Sequence, residues 1–187
     1  AEQFVLLDNL FCDGEVSVDG HSWSNSAYAT DFNEKYWPAN YGGHAKSGLS
    51  LANVPKGGHM WDLAKAKGLT YRSYGEYAAR SSDGTTMDAS PNAVALNGHV
   101  SPKFKMPGMR DTDNARVFLE EFDEYERNIG SKDPNRRLPN FIVMSLPENH
   151  TRGTRPGEYT PRAMVANNDV ALGMIVERVT HSKYWAK

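Results

Sequence analysis

Apolar and polar positions fall along this chain in blocks whose period changes in a regular order. Residues 3–11, headed by Phe4-Val5-Leu6-Leu7 and closed by Asp13-Gly14, read as a short buried strand. A short helix follows over 24–33 behind a serine cap. Residues 34–58, with WPANYGGHAKSG inside them, have the glycine and proline density of a loop. Met60, Trp61, Leu63 and Ala64 give an apolar face to a helix over about 59–67, and Gly68 is its stop. LTYRSYG, 69–75, is rich in β-formers and predicts a strand.

The second half is more regular. Phe118, Phe122, Tyr125 and Ile129 recur at helical spacing behind a Thr112 or Asp113 cap. The acids at 120, 121, 123 and 124 take the solvent side, and Gly130 ends the helix. NFIVMSLP, 140–147, holds four successive apolar residues, as in a strand covered on both faces of a parallel sheet. Thr160-Pro161 opens the longest helix, with threonine as cap and proline at the first helical position. Leu172, Ile175, Val176 and Val179 are its predicted buried stripe. Between the two halves, residues 78–111 have turn residues throughout and no sustained period, and they read as an irregular loop insertion.

Strand, helix, strand, helix, strand, helix is the order expected of an α/β layered fold with a largely parallel sheet flanked by helices. At 187 residues the chain is sized for a single domain, 1–187, or for a piece of a larger one. A formal net charge of -2 argues against a broad basic face and against nucleic acid as a partner. No apolar run reaches the ~20 residues of a membrane span, and no signal peptide is visible. The start at Ala1, almost inside a strand, suggests processing or trimming. Cys12 is the single cysteine, which excludes an internal disulfide and reads as a small buried hydrophobe.

Ligands of open parallel sheets bind at the carboxyl ends of strands. Two predicted strands end in reactive sequence, and both could project onto one sheet edge. CDGEVSVDGHSWS places Ser17 between two acids with His21 four positions on, so that a base or a metal could activate the serine oxygen; a polar turn is the plain alternative. SLPENHTRGTRPG offers Glu148, Asn149 and His150 as a carboxylate, an amide oxygen and an imidazole suited to a borderline divalent metal, with Arg152 and Arg155 able to hold a phosphate. A solvated turn is the alternative there. His44, His59, His99 and His181 read as surface histidines, His181 near a helix C-terminus. Asn167-Asn168-Asp169 reads as a solvent face, or more sharply as support for the site from below.

FVLLDNLFCDGEVSVDGHSWSNSAYATDF, YRSYGEY, LPENHTRGTRPG and MVANNDVALGMIVERVTHSKYW, taken together and in order, resemble the bacterial phosphoesterase branch of the alkaline-phosphatase-like superfamily, and most closely members whose phosphoesterase domain follows a β-propeller of YVTN type. The resemblance covers nearly the whole chain apart from the middle loop. It implies a metal-dependent hydrolase of small phosphate or related esters, working with zinc or manganese, with Ser17 as nucleophile and metal-bridging oxygen, His21 on the phosphate, and Glu148 and His150 as metal ligands. Asn149 stands where some relatives have Asp. The family also has an earlier strand bearing a metal ligand and a later one with paired acids and a histidine. The resemblance therefore implies a central fragment of a longer domain, an incomplete alkaline-phosphatase-like core, with weak metal binding, little activity, open sheet edges prone to self-association, a propeller in the parent chain, and a periplasmic or extracellular location.

Two other functions fit the same residues. One is a non-catalytic, phosphoesterase-like module binding a cell-surface partner or glycan, with Trp23, Trp37 and Tyr41 as contacts. The other, a metal-free serine esterase, needs a base for Ser17 that His21 or His150 alone could supply, and no nucleophile-elbow glycine pattern is present.

Overall fold

The computed structural model describes residues 5, 7, 9–11, 14, 16–40 and 51–185. Contacts group the chain into two units, Ala1–Leu63 and Ala64–Lys187, and each is described by itself.

Among its described residues the first unit holds helices α1 (Ser17–Ser26) and α2 (Asp31–Asn40), the 3-10 turn Leu51–Asn53 and the start of a further helix. The expected helix over 24–33 is thus two helices, one starting seven residues earlier, and the expected loop from 34 is helical through Asn40. The break lies at Ala27, whose left-handed φ of 51° ends α1 while its N–H bonds to the Trp23 carbonyl. Thr30 then caps α2: its Oγ1 accepts from the Asn33 amide at 3.2 Å and donates to the Ala52 carbonyl at 3.0 Å. The expected strand 3–11 is covered only in part: Val5, Leu7 and 9–11 are exposed and lie outside any strand. Cys12, Tyr41 and His44, and the side chain of Trp37, lie outside what the structure describes.

Helix α3 (Met60–Ala66) forms where the sequence places it, and Gly68 ends it at φ 67°. Its predicted face is half right, since Trp61 and Ala64 are buried but Met60 and Leu63 are exposed. His59 is not a surface residue. It is 2% exposed and stacks on Trp61 at 4.6 Å.

The second unit is built on two parallel strands, β1 (Tyr71–Tyr74) and β4 (Phe141–Met144), paired Tyr71 to Phe141 through Tyr74 to Met144. Between them in sequence lies a small antiparallel hairpin, β2 (Ala78–Arg80) with β3 (Met87–Ala89), inside the segment that reads as irregular. A coarse α/β class is therefore what the chain adopts. Helices α4 (Asp111–Arg127) and α5 (Pro161–Thr180) pack together beside the strands.

The core is aromatic. Tyr74, Phe104, Phe118 and Phe122 are buried, with Ile142, Met144, Ile175 and Val179 packed on them. Tyr74 meets Phe104 and Phe118 edge-on at 5.5 and 5.0 Å, the arrangement that ring quadrupoles favour. On α5, Ile175 and Val179 face this core, but Leu172 is 51% exposed and drops out of the predicted stripe. Glu121 also departs from expectation. It turns inward and accepts from Arg72 Nε and Nη2 at 2.9 Å each, from Ser101 at 2.6 Å and from Tyr74 at 2.8 Å. A carboxylate in a half-buried setting is tolerated because each oxygen is met by a donor.

Candidate functional site

In the first unit, Val16 has an extended backbone and Ser17 is the first residue of α1, exposed at its N-terminus. That is where unpaired helical N–H groups and the helix dipole favour an anion. The same helix buries a polar face: Asp19, Ser22 and Asn25 are all under 5% exposed. Asp19 accepts a hydrogen bond from the fully buried Asn33 of α2, which joins the two helices. Gly14 is required beside them, since a Cβ there would collide with the Asp19 Cβ. Asp19 and Gly14 of the CDGEVSVDG segment thus have structural roles in and beside α1. His21 is exposed one helical turn beyond Ser17.

In the second unit the candidate residues sit at the carboxyl end of β4. After Pro147 the chain makes one turn of 3-10 helix, Glu148–His150, and leaves it through Thr151 at φ 57°, a left-handed backbone that a β-branched residue adopts at a cost. A cavity of about 470 Å³ opens here, lined by Arg110, Glu148, His150, Arg152, Tyr159 and Met164 among others. His150 is exposed, with Nδ1 3.2 Å from the Thr151 carbonyl. Arg152 is 58% exposed and only loosely paired with Glu158, at 3.6 Å. Arg155 is exposed but does not line the cavity.

Glu148 is different in kind. It is 8% exposed, and both its oxygens are engaged. Oε1 accepts from Arg110 Nε at 2.5 Å, and Oε2 accepts from the Asp111 backbone N–H at 2.8 Å. In return the Glu148 N–H donates to Asp111 Oδ2 at 2.8 Å. Asp111, the first residue of α4, is fully buried and also accepts from Asn168 of α5 at 2.9 Å. Beside it the Thr112 N–H donates to Asn167 at 3.1 Å. The amides that open α4 are thus satisfied by side chains from two other elements. Asn167 and Asn168 are part-buried and bond to Thr112, Asp111 and the Leu146 carbonyl, whereas Asp169 is exposed, as a solvent face requires.

Lys105 stands beside this network. Its backbone has a φ of 63°, and its ammonium donates to the Gly75 carbonyl and the Ser145 hydroxyl at 3.2 Å each. Those residues directly follow β1 and β4, so one cation caps both strand ends. Burial pushes its amine below the usual range, against the pull of Glu76 and Asp111.

Sequence reasoning missed Lys105, Arg110, Asp111 and Tyr159. A helix-opening Arg-Asp pair is a weak signal, and nothing local marks Lys105. Among the described residues no three His, Cys, Asp or Glu side chains gather to hold a metal ion. Ser17 and His21 belong to the first unit and Glu148 and His150 to the second. No protein-family model, curated protein or solved structure matches this chain.

Proposed function

We propose that the chain belongs to a metal-dependent hydrolase of phosphate esters, with Ser17 as nucleophile. What supports a ligand site in the second unit is the cavity at the carboxyl end of β4, lined by His150 and Arg152, the position at which parallel sheets place ligands. Arg152 can exchange its loose contact with Glu158 for a phosphate oxygen, the kind of charge-assisted contact that orients phosphate groups. Ser17, exposed at a helix N-terminus, has the setting in which an anionic phosphoryl group is stabilised. In this reading the Ser17 oxygen forms a bond to phosphorus, the ester alcohol leaves, and water later releases the phosphate. His21 contacts the phosphoryl oxygens.

The two expected metal ligands do not fit equally. In His150, a ring N–H at Nδ1 given to the Thr151 carbonyl leaves Nε2 with its lone pair for a metal. Glu148 fits poorly, because each of its oxygens already accepts from Arg110 or Asp111 and the Arg110 guanidinium beside it would repel a cation. That engagement also supports a second reading, a phosphoesterase-like module that binds without catalysis.

The test is hydrolysis of bis(p-nitrophenyl) phosphate and p-nitrophenyl phosphate by the full-length parent protein, with Zn²⁺ or Mn²⁺ added. The catalytic reading expects a measurable rate that Ser17→Ala lowers by at least ~100-fold. Equal rates in the two proteins would remove Ser17 as nucleophile. Phosphate-protectable binding at Arg152 without turnover would favour the binding module.

A further inference from the structure

We propose that Glu148 is a positioning residue rather than a metal ligand: with Arg110 and Asp111 it forms a latch that fixes the turn presenting His150. The inference rests on the reading of His150 as a site residue, but its test does not depend on turnover.

Four observations carry it. The exchange between Glu148 and Asp111 is reciprocal, each backbone N–H donating to the other's carboxylate at 2.8 Å. Arg110 closes the remaining Glu148 oxygen, and its second arm donates to the Ala163 carbonyl of α5 at 3.3 Å while its guanidinium lies 3.9 Å over the Tyr159 ring. Asn168 ties Asp111 to the Leu146 carbonyl, with contacts of 2.9 and 3.3 Å, and so reaches back to the segment between β4 and the turn. Finally, the turn leaves through the left-handed Thr151. A backbone of that kind persists where the surroundings over-determine it, and the latch lies at the other end of this one-turn helix.

A ligand carboxylate needs an oxygen lone pair aimed at the metal. Here one oxygen faces a guanidinium and the other a helix-opening amide, and stripping either would leave a buried charge or a buried N–H unpaired. A cation on a remaining lone pair would sit close to the Arg110 guanidinium and be repelled by it, and displacing that guanidinium would break the latch. Holding the turn costs nothing further.

The side-chain Cε1–H resonance of His150, assigned by its loss in His150→Gln, reads the geometry of the turn directly. It should move in Glu148→Gln, and equally in Arg110→Lys and Asn168→Ala, whose sites are remote in sequence. It should stay in place in Arg178→Lys, which disturbs the Asp123 and Glu126 ion pairs elsewhere on α4. In a Mn²⁺ titration, the concentration that broadens this resonance should rise together in Glu148→Gln, Arg110→Lys and Asn168→Ala, by about 10-fold, as the loss of a support beneath a ligand does. If Glu148→Gln does not fold, Arg110→Lys carries both readouts. An unmoved His150 resonance in Arg110→Lys and Asn168→Ala would overturn the proposal in favour of a purely structural network. A rise confined to Glu148→Gln, with Arg110→Lys and Asn168→Ala matching the parent, would overturn it in favour of a ligand. Neither result bears on Ser17, so failure here and failure of the hydrolase reading are separable.

Discussion

Gly75 shows how a single residue sets the strand edge. It follows β1 at φ 81°, and a Cβ there would lie 2.9 Å from Lys105 Cδ and 3.1 Å from Phe104 Cδ1. Gly75→Ala combines a left-handed backbone with displacement of the lysine that caps both strands. A loss of about 1–3 kcal/mol is expected in urea unfolding. Glu121 makes the second residue-scale prediction. Burial raises its carboxyl, but hydrogen bonds from Arg72 and Ser101 outweigh this and the net shift is downward from 4.5. A depressed carboxylate contributes stability that is fully present above its unfolded value and lost as pH falls through the folded one. The protein should lose this contribution progressively below about pH 4.3, and Glu121→Gln should flatten that part of the stability–pH curve. An unchanged curve would show that the Arg72 pair contributes nothing. Neither residue was legible in the sequence. Gly75 reads as a strand stop, which is true but omits Lys105. Glu121 sits among acids that do face solvent, and a helical wheel cannot reveal that an arginine 49 positions earlier draws one of them inward.

Elements were legible where local chemistry decides them. Helix α5 begins where Thr160-Pro161 says it should, with Thr160 Oγ1 accepting from the Ala163 N–H at 3.3 Å. Thr160→Ala should cost about 1 kcal/mol in thermal unfolding; no change would mean that packing alone starts the helix. Strands β1 and β4 were legible from β-branched and aromatic density. Helix α1 was not, because its buried face is Asp19, Ser22 and Asn25, and an apolar-period search cannot see a helix that buries polar groups against a polar partner. The α4 cap was misassigned for a related reason: Arg110 is the cap residue, its N–H donating to Asp113 at 3.0 Å. The hairpin β2–β3 hides in a segment of turn residues because its strands are three residues long.

For the molecule as a whole, the sequence made the coarse class and one reactive strand end legible. Residues 145–157 do begin at the end of a parallel strand, and Pro147, Glu148, His150, Thr151 and Arg152 among them line a cavity. What could not be read was which of Glu148, Asn149 and His150 is available, because the neighbours that occupy Glu148 come from positions 110 and 111. No helix among the described residues is long and apolar enough to cross a membrane. The proposed phosphoester chemistry rests on the sequence resemblance, and the cavity at the end of β4 lies within the second unit.

Acid-quenched reaction with a chromogenic phosphodiester in the presence of Zn²⁺ or Mn²⁺, followed by peptide mapping, tests that chemistry most directly. The account predicts a phosphorylated peptide spanning Ser17, absent from Ser17→Ala. Turnover with no covalent mark on that peptide, or the same mark in Ser17→Ala, would contradict it.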